Sequence, residues 1–430
     1  MYITGMVRKS FTVFIVLILV FFHRLNASQL LIPMDESQKN HLKAYGLSYW
    51  LLNTQKMEVE WLLNYRGGSF MVSNDPATER ECKIRGITYE VISESQAANI
   101  LHDIDDPATN MNHIKLLNAP KIAVYSPKTK QPWDDAVTMV LTYSEIPYTV
   151  IFDDEVLDGK LVEYDWLHLH HEDFTGQFGK FWASYASAPW YQAEVSEGET
   201  TASKHGYSSV RELKKAVVLK IREFMLGGGF LFAMCSATDS YDIALAAAET
   251  DICEEMFDGT PADPNAQNRL NFNECLAFKN FRLETNPYVY EFSNIDINPD
   301  PRVRPVREEE DLFTLFDFSA KWDIIPSILC QNHTRTIKGF MGQTTAYKSN
   351  LIKSDVIVMG ENALLEEAKY IHGELGKGTF TFFGGHDPED YQHLVGEPAT
   401  DLNLHPNSPG YRLILNNILF PSAKKSKQKT

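Results

Sequence analysis

Between Val210 and Ala248 the chain has little choice of architecture. Val210, Leu213, Val217, Ile221, Phe224 and Met225 recur at helical spacing, so Val210–Leu226 predicts an amphipathic helix. Gly227-Gly228-Gly229 ends it, as glycine does at a helix C-terminus. Phe230–Met234 then shows no polar alternation, which is the pattern of a strand covered on both faces in a parallel sheet. Cys235 follows at once, and Ala237–Ala248 is rich in small residues and helical by pattern.

The same alternation runs through the surrounding sequence. Ile122–Tyr125, Tyr148–Phe152, Tyr164–His170 and Thr379–Phe383 read as strands. Trp133–Ser144 and Tyr411–Leu419 read as helices, the first with Asp134 and Asp135 in its opening turn, where carboxylates suit the dipole. Strand–helix alternation with short connections implies an α/β fold with a doubly wound, mostly parallel sheet. Binding sites in such sheets gather beyond the carboxyl ends of the strands. Upstream, Gln29–Met34, His41–Leu52, Val59–Leu63 and Gly86–Ile92 suggest a small βαβ-type module, with Lys115–Pro120 as a linker. Residues 179–206 read as a polar excursion rich in aromatics, and 251–335 as a long insertion. The expected organisation is therefore an N-terminal α/β module at 28–115, a main domain at 116–422 and a basic tail at 423–430.

A chain of 430 residues is long for a single core. Its net charge of -17 argues against a nucleic-acid partner, which would need a basic face. Arg8 and Lys9, the apolar run Phe11–Phe22 and the small residues Ala27-Ser28 form a signal-peptide pattern over residues 1–27, with no cysteine nearby for a lipid anchor. A secreted or periplasmic location is expected, with no membrane-spanning segment after the signal. Five cysteines remain, an odd number that leaves at least one thiol free. Cys253 and Cys275 are the candidate pair.

Cys235 sits where a buried strand gives way to a helix, the setting of a nucleophile elbow. The amide of Ser236 and the helix N-terminus are placed to bind an oxyanion. A cysteine nucleophile needs a base, and the base an orienting acid. The turn Gly384-Gly385 delivers His386 after the strand Thr379–Phe383, with Glu389 one turn on, and Asp387 and Asp390 as substitutes for it. A competing reading is a divalent metal: His168 and His170 share one strand face, with His171, Glu172 and Asp173 beside them. A third is a non-catalytic module that binds a sugar, peptide or protein through the aromatics of 178–191.

The strand–Cys–helix segment with His386-Asp387-Pro388-Glu389 resembles the class I glutamine-amidotransferase-like domains, related trehalose-utilisation-type domains included, which carry a His-Pro-Glu-like motif after a late strand. The resemblance implies a second oxyanion amide from Thr175-Gly176 and a contact of Glu172 with the cysteine. Taken whole, the segments Leu30–His41, Trp61–Phe70, Tyr164–Gln177, Phe230–Ser240 and Phe383–His393 are similar to a family of secreted bacterial proteins labelled asparagine synthetase B. That label implies ATP-dependent amide transfer to aspartate, yet the sequence holds no SGGxDS-type pyrophosphate loop, and a mature chain starting near Ser28 has no N-terminal cysteine. The expectation is a glutaminase-type hydrolase of a small-molecule or peptide amide. Cys235, His386 and Glu389 are its catalytic residues, Ser236, Glu172, Thr175 and Gly176 its binding residues, and it uses no organic cofactor.

Overall fold

The structure is a computed structural model; it describes residues 28–296, 306–392 and 394–423. Residues 1–27, read above as a signal peptide, and most of the basic tail, 424–430, lie outside the described residues.

Two sheets organise the chain. The first has the order β4-β1-β3-β2-β5, from β1 (Ser28–Ile32), β2 (Val59–Leu63), β3 (Ser69–Ser73), β4 (Glu90–Ser93) and β5 (Asn112–Leu116). Every pairing is antiparallel, so the expected βαβ module is instead an antiparallel sheet. Its side chains alternate as a two-faced sheet requires. Leu30 and Ile32 join a core with the helix His41–Trp50, while Leu31, Leu62 and Met71 pack with Ala97 and Ile104 of the helix Glu94–Asp105.

The second sheet has ten strands. Its parallel half is β6 (Ile122–Tyr125), β7 (Thr149–Ile151), β8 (Trp166–Leu169), β9 (Phe230–Met234) and, further along the chain, β15 (Gly378–Phe383), in the order β15-β9-β8-β6-β7. The antiparallel half adds β10 (Leu312–Leu315), β11 (Thr336–Lys338), β12 (Tyr347–Lys348), β13 (Ile357–Asn362) and β14 (Glu367–Leu375). The stretch read as an insertion therefore supplies β10 to the sheet, and β11, which pairs with it at the sheet edge, follows directly after that stretch. The aromatic excursion is largely helical, at Trp182–Tyr185 and Pro189–Lys204.

Both faces of the parallel half are covered. Val124, Trp166, Phe232 and Met234 face a core shared with the helices Ala136–Tyr143 and Pro409–Leu419. Ala123, Leu167, Leu231 and Ala233 face one shared with Val217, Ile221 and Met225 of the helix Val210–Gly227. That helix starts on the Ser209 side chain, which accepts from the Glu212 amide. No described helix is long and apolar enough to cross a membrane. All five cysteines are free thiols. Cys253 donates to the Thr175 carbonyl and Cys275 lies near the Asp242 carbonyl, in separate cores, so the candidate pair is not a disulfide.

Candidate functional site

Strand register brings the site together. Met234 pairs with Phe383, and Ala233 with Leu169. His170 and Cys235 thus leave neighbouring strands at one sheet edge, and Gly384-Gly385 carry the chain from β15 to His386. The loop after β6 adds Trp133, Asp134 and Asp135, where the strand order reverses between β6 and β8, the usual place for a crevice in an open α/β sheet.

Cys235 is the strained point. Its φ of 50° and ψ of -141° place a non-glycine residue in the left-handed half of the map, at a cost of about 1–3 kcal/mol. The turn closes tightly: the Ala237 amide donates to the His170 carbonyl (3.0 Å) and the Thr238 amide to the Cys235 carbonyl (3.1 Å). Both Ala233 and Ala237 are fully buried, so larger side chains would not fit beside this turn. Cys235 is 2% exposed. Burial pushes its thiol up to about 11, while the backbone amides of Thr344, Ser236 and Gln343 pull the other way. A sulfur anion, or an oxyanion beside it, would therefore meet N–H groups from two separate segments.

The second segment, Phe340–Ala346, lies in a stretch without periodicity, and its role was not visible in the sequence. A Cβ on Gly342 would lie 2.9 Å from the Cys235 sulfur and 2.9 Å from the His386 amide nitrogen, so only glycine lets this loop approach the thiol. Lys369, 4% exposed, holds the loop by donating from Nζ to the Thr345 carbonyl (2.7 Å) and to that of Phe340.

His386 is 5% exposed and lines the same pocket as Cys235. Its Nε2 lies 3.0 Å from the Asp134 backbone carbonyl and 3.7 Å from the Asp134 carboxylate. A carbonyl only accepts, so Nε2 carries the proton and Nδ1 is the basic nitrogen of the neutral ring. Asp134 therefore occupies the position expected of Glu389, whose carboxylate instead pairs with His405 at 3.0 Å. The cause is local: the Glu389 amide donates to Asp387, whose carboxylate is bound to Tyr411 and Thr400, and this turns the 387–390 loop away from the ring.

The other expected site residues are divided. Ser236 lines the pocket and donates from Oγ to the His171 carbonyl. Thr175 and Gly176 do not reach Cys235. Thr175 binds Asp173, and Gly176 packs on the backbone of Arg211. Glu172 accepts the His170 amide (2.9 Å) and borders a separate small cavity of about 40 Å³ with Glu194, Glu197 and Lys214. Burial pushes its carboxyl up to about 8.

The histidines form a cluster beside the pocket. His168 Nδ1 bonds the Phe232 carbonyl, and its Nε2 lies 3.2 Å from Asp135, whose carboxylate also lies 3.3 Å from His170 Nδ1. Both ring nitrogens of His168 are thus engaged, one by the Phe232 carbonyl and one by Asp135. These two rings hold the Asp135 carboxyl well below its ordinary range despite its burial. Asp135 also caps the helix at the Thr138 amide. Ligand atoms of His170, His171 and His386 lie within 4.8 Å of one another, as do those of Asp135, His168 and His170. Trp133 donates to His171 Nε2, however, so the neutral ring carries its proton on Nδ1. A metal there would first have to displace the indole.

The pocket itself encloses about 790 Å³, within the range of about 300–1,000 Å³ usual for small-molecule sites. It is walled by Trp133, Phe181, Tyr185, Tyr288 and Tyr290, with Lys180, Glu291, Gln343 and Gln392 among its polar groups.

The sequence matches no protein-family model. No curated protein matches it either. Among solved structures, the chain is similar to the cytoplasmic protein STM3548 from Salmonella typhimurium, at 11% identity over 71% of this chain and all of that one, with a TM-score of 0.34. The cytoplasmic protein STM1381 from Salmonella typhimurium LT2 matches at 10% identity and a TM-score of 0.35, with 71% of this chain and 100% of that one covered. The GH42 beta-galactosidase Gan42B matches at 11% identity and a TM-score of 0.27, over 63% of this chain and 28% of the galactosidase. Likeness at this level identifies no family and carries no argument about the site.

Proposed function

We propose that the chain is a secreted or periplasmic amide hydrolase that works through Cys235 and His386 on a doubly wound, class I glutamine-amidotransferase-like domain. The observation that carries this reading is the backbone of Cys235, a strained non-glycine turn between a buried strand and a helix, beside which the backbone amides of Thr344, Ser236 and Gln343 favour the ionised sulfur. Strain of that kind persists only where the surroundings enforce it, and it aims the side chain at the pocket.

The thiol is protonated at rest, since burial pushes it up to about 11. His386 Nδ1 takes its proton as sulfur attacks the amide carbonyl. The carbonyl oxygen becomes an oxyanion held by backbone N–H groups beside the sulfur. The C–N bond breaks, the leaving nitrogen takes the proton from His386, and an amine or ammonia departs. Water, deprotonated by His386, then cleaves the thioester; acid is released and the thiol regenerated. Asp134 orients His386 and stabilises its charged form.

Hydrolysis of an amide panel by wild type, and its loss in Cys235→Ser, is the test. A Cys235→Ser protein with full activity on any amide that wild type cleaves would remove the proposal. A metal-dependent hydrolase is the second reading, favoured by the convergence of His170, His171 and His386. Elemental analysis of the purified protein separates the two: one equivalent of bound zinc would favour the metal.

A further inference from the structure

Resting on the hydrolase reading of the Cys235 pocket, we infer that its substrate is an amide carried on an uncharged sugar ring. The walls of the pocket carry the argument. Trp133 and Phe181 stack at 5.0 Å, and Tyr290 and Tyr185 lie against Phe181 at 5.3 and 5.9 Å. Tyr288 and Tyr290 remain 66% and 43% exposed at the mouth. Exposed aromatic faces beside a cavity mark a binding surface. A pyranose presents an apolar C–H face that stacks on such rings and a rim of hydroxyls that must be hydrogen-bonded.

The polar groups suit neutral hydroxyls and not fixed charges. Among the described residues that line the pocket, the one ammonium is Lys180, and it already donates to the carbonyls of Glu284 (2.8 Å) and Asn286 (3.4 Å). The one carboxyl is Glu291, which burial first and the neighbouring Asp239 second push toward its uncharged form, able to donate as well as accept. Gln343 donates to the Gly179 carbonyl from Nε2, which leaves Oε1 as an acceptor. A free α-amino acid such as glutamine brings a carboxylate and an ammonium, and neither meets an uncommitted opposite charge here. The desolvation of those charges would go uncompensated. A sugar ring asks only for stacking and neutral hydrogen bonds.

The test is a titration of intrinsic tryptophan fluorescence with N,N′-diacetylchitobiose, L-glutamine and N-acetylphenylalanine amide, on wild type and on Cys235→Ser. The expected result is saturable binding of the sugar amide by both proteins. Binding should weaken about tenfold in Tyr290→Ala and be retained in Tyr290→Phe, as loss of one stacking ring predicts. Saturation by glutamine or by the aromatic amide alone, or by none of the three, overturns the inference. The hydrolase reading is judged separately by the thiol chemistry of Cys235, which needs no substrate. Thiol activation without sugar binding overturns the substrate class alone; sugar binding without thiol activation supports the sugar site and removes the hydrolase.

Discussion

Two buried polar clusters in this molecule look alike in composition and differ in what they leave open. One surrounds Arg412, where the two sheets meet. Arg412 is fully buried and donates to the Met34 and Gly67 carbonyls, Tyr45 and His333. His41 stacks on His333 at 4.3 Å and bonds Asn407 and the Met34 carbonyl. The other is the Cys235–His386 pocket. It also gathers histidines and a buried cation, but it has a strained backbone, a cavity of about 790 Å³ and exposed aromatics. The first cluster consumes its polar groups in holding two sheets together. The second spends stability on a geometry that packing alone does not need.

The largest expected difference is catalytic. Cys235→Ser should lower amide hydrolysis at least about a thousandfold with an unchanged unfolding midpoint, whereas Arg412→Met should leave kcat per folded molecule intact. His386→Gln should cost about 10²–10⁴ in kcat with little effect on KM. Stability reverses the contrast: Arg412→Met strands buried carbonyls and should cost about 3 kcal/mol in chemical denaturation, well beyond the effect of either pocket variant.

The Arg412 cluster should also govern acid sensitivity. Burial first, and Arg412 second, push His41 down to about 4 and His333 down to about 3. Unfolded histidine titrates near 6.5, so between that pH and the folded values the unfolded chain binds more protons. The contribution of these rings is complete above about pH 6.5 and is lost as pH falls toward 4 and then 3. Urea midpoints measured from pH 7 to pH 3.5 should show the loss, and it should be shallower in a double variant with His41→Asn and His333→Asn. The smallest effect belongs to Lys369, a positioning residue for the loop at Gly342. Lys369→Met should lower kcat about tenfold and leave KM near its wild-type value; an unchanged kcat would show that the loop holds its place without it.

The sequence placed Cys235 and His386 at one edge because Cys235 follows an apolar strand at once and His386 follows another after Gly384-Gly385, and parallel strands end at one edge. It hid Asp134, because two adjacent acids before an apolar run read as helix-start residues; only Asp135 caps the helix. The Gly342 loop was hidden for a different reason. Its importance is a close approach across about 100 positions, and no local pattern records that. The small sheet was misread because β3 follows a tight turn and β5 runs into the apparent linker. Without those two strands, an antiparallel sheet reads as βαβ.

The central claim is that His386 activates the Cys235 thiol. The direct measurement is the pH profile of Cys235 alkylation by chloroacetamide, followed by peptide mass spectrometry in wild type and His386→Gln. Wild type should be labelled at Cys235 at least about tenfold faster than the variant at pH 7, with the two rates converging as pH nears 11, where the thiol ionises unaided. Equal rates at every pH, or Cys235 unlabelled while Cys330 reacts, would contradict the account.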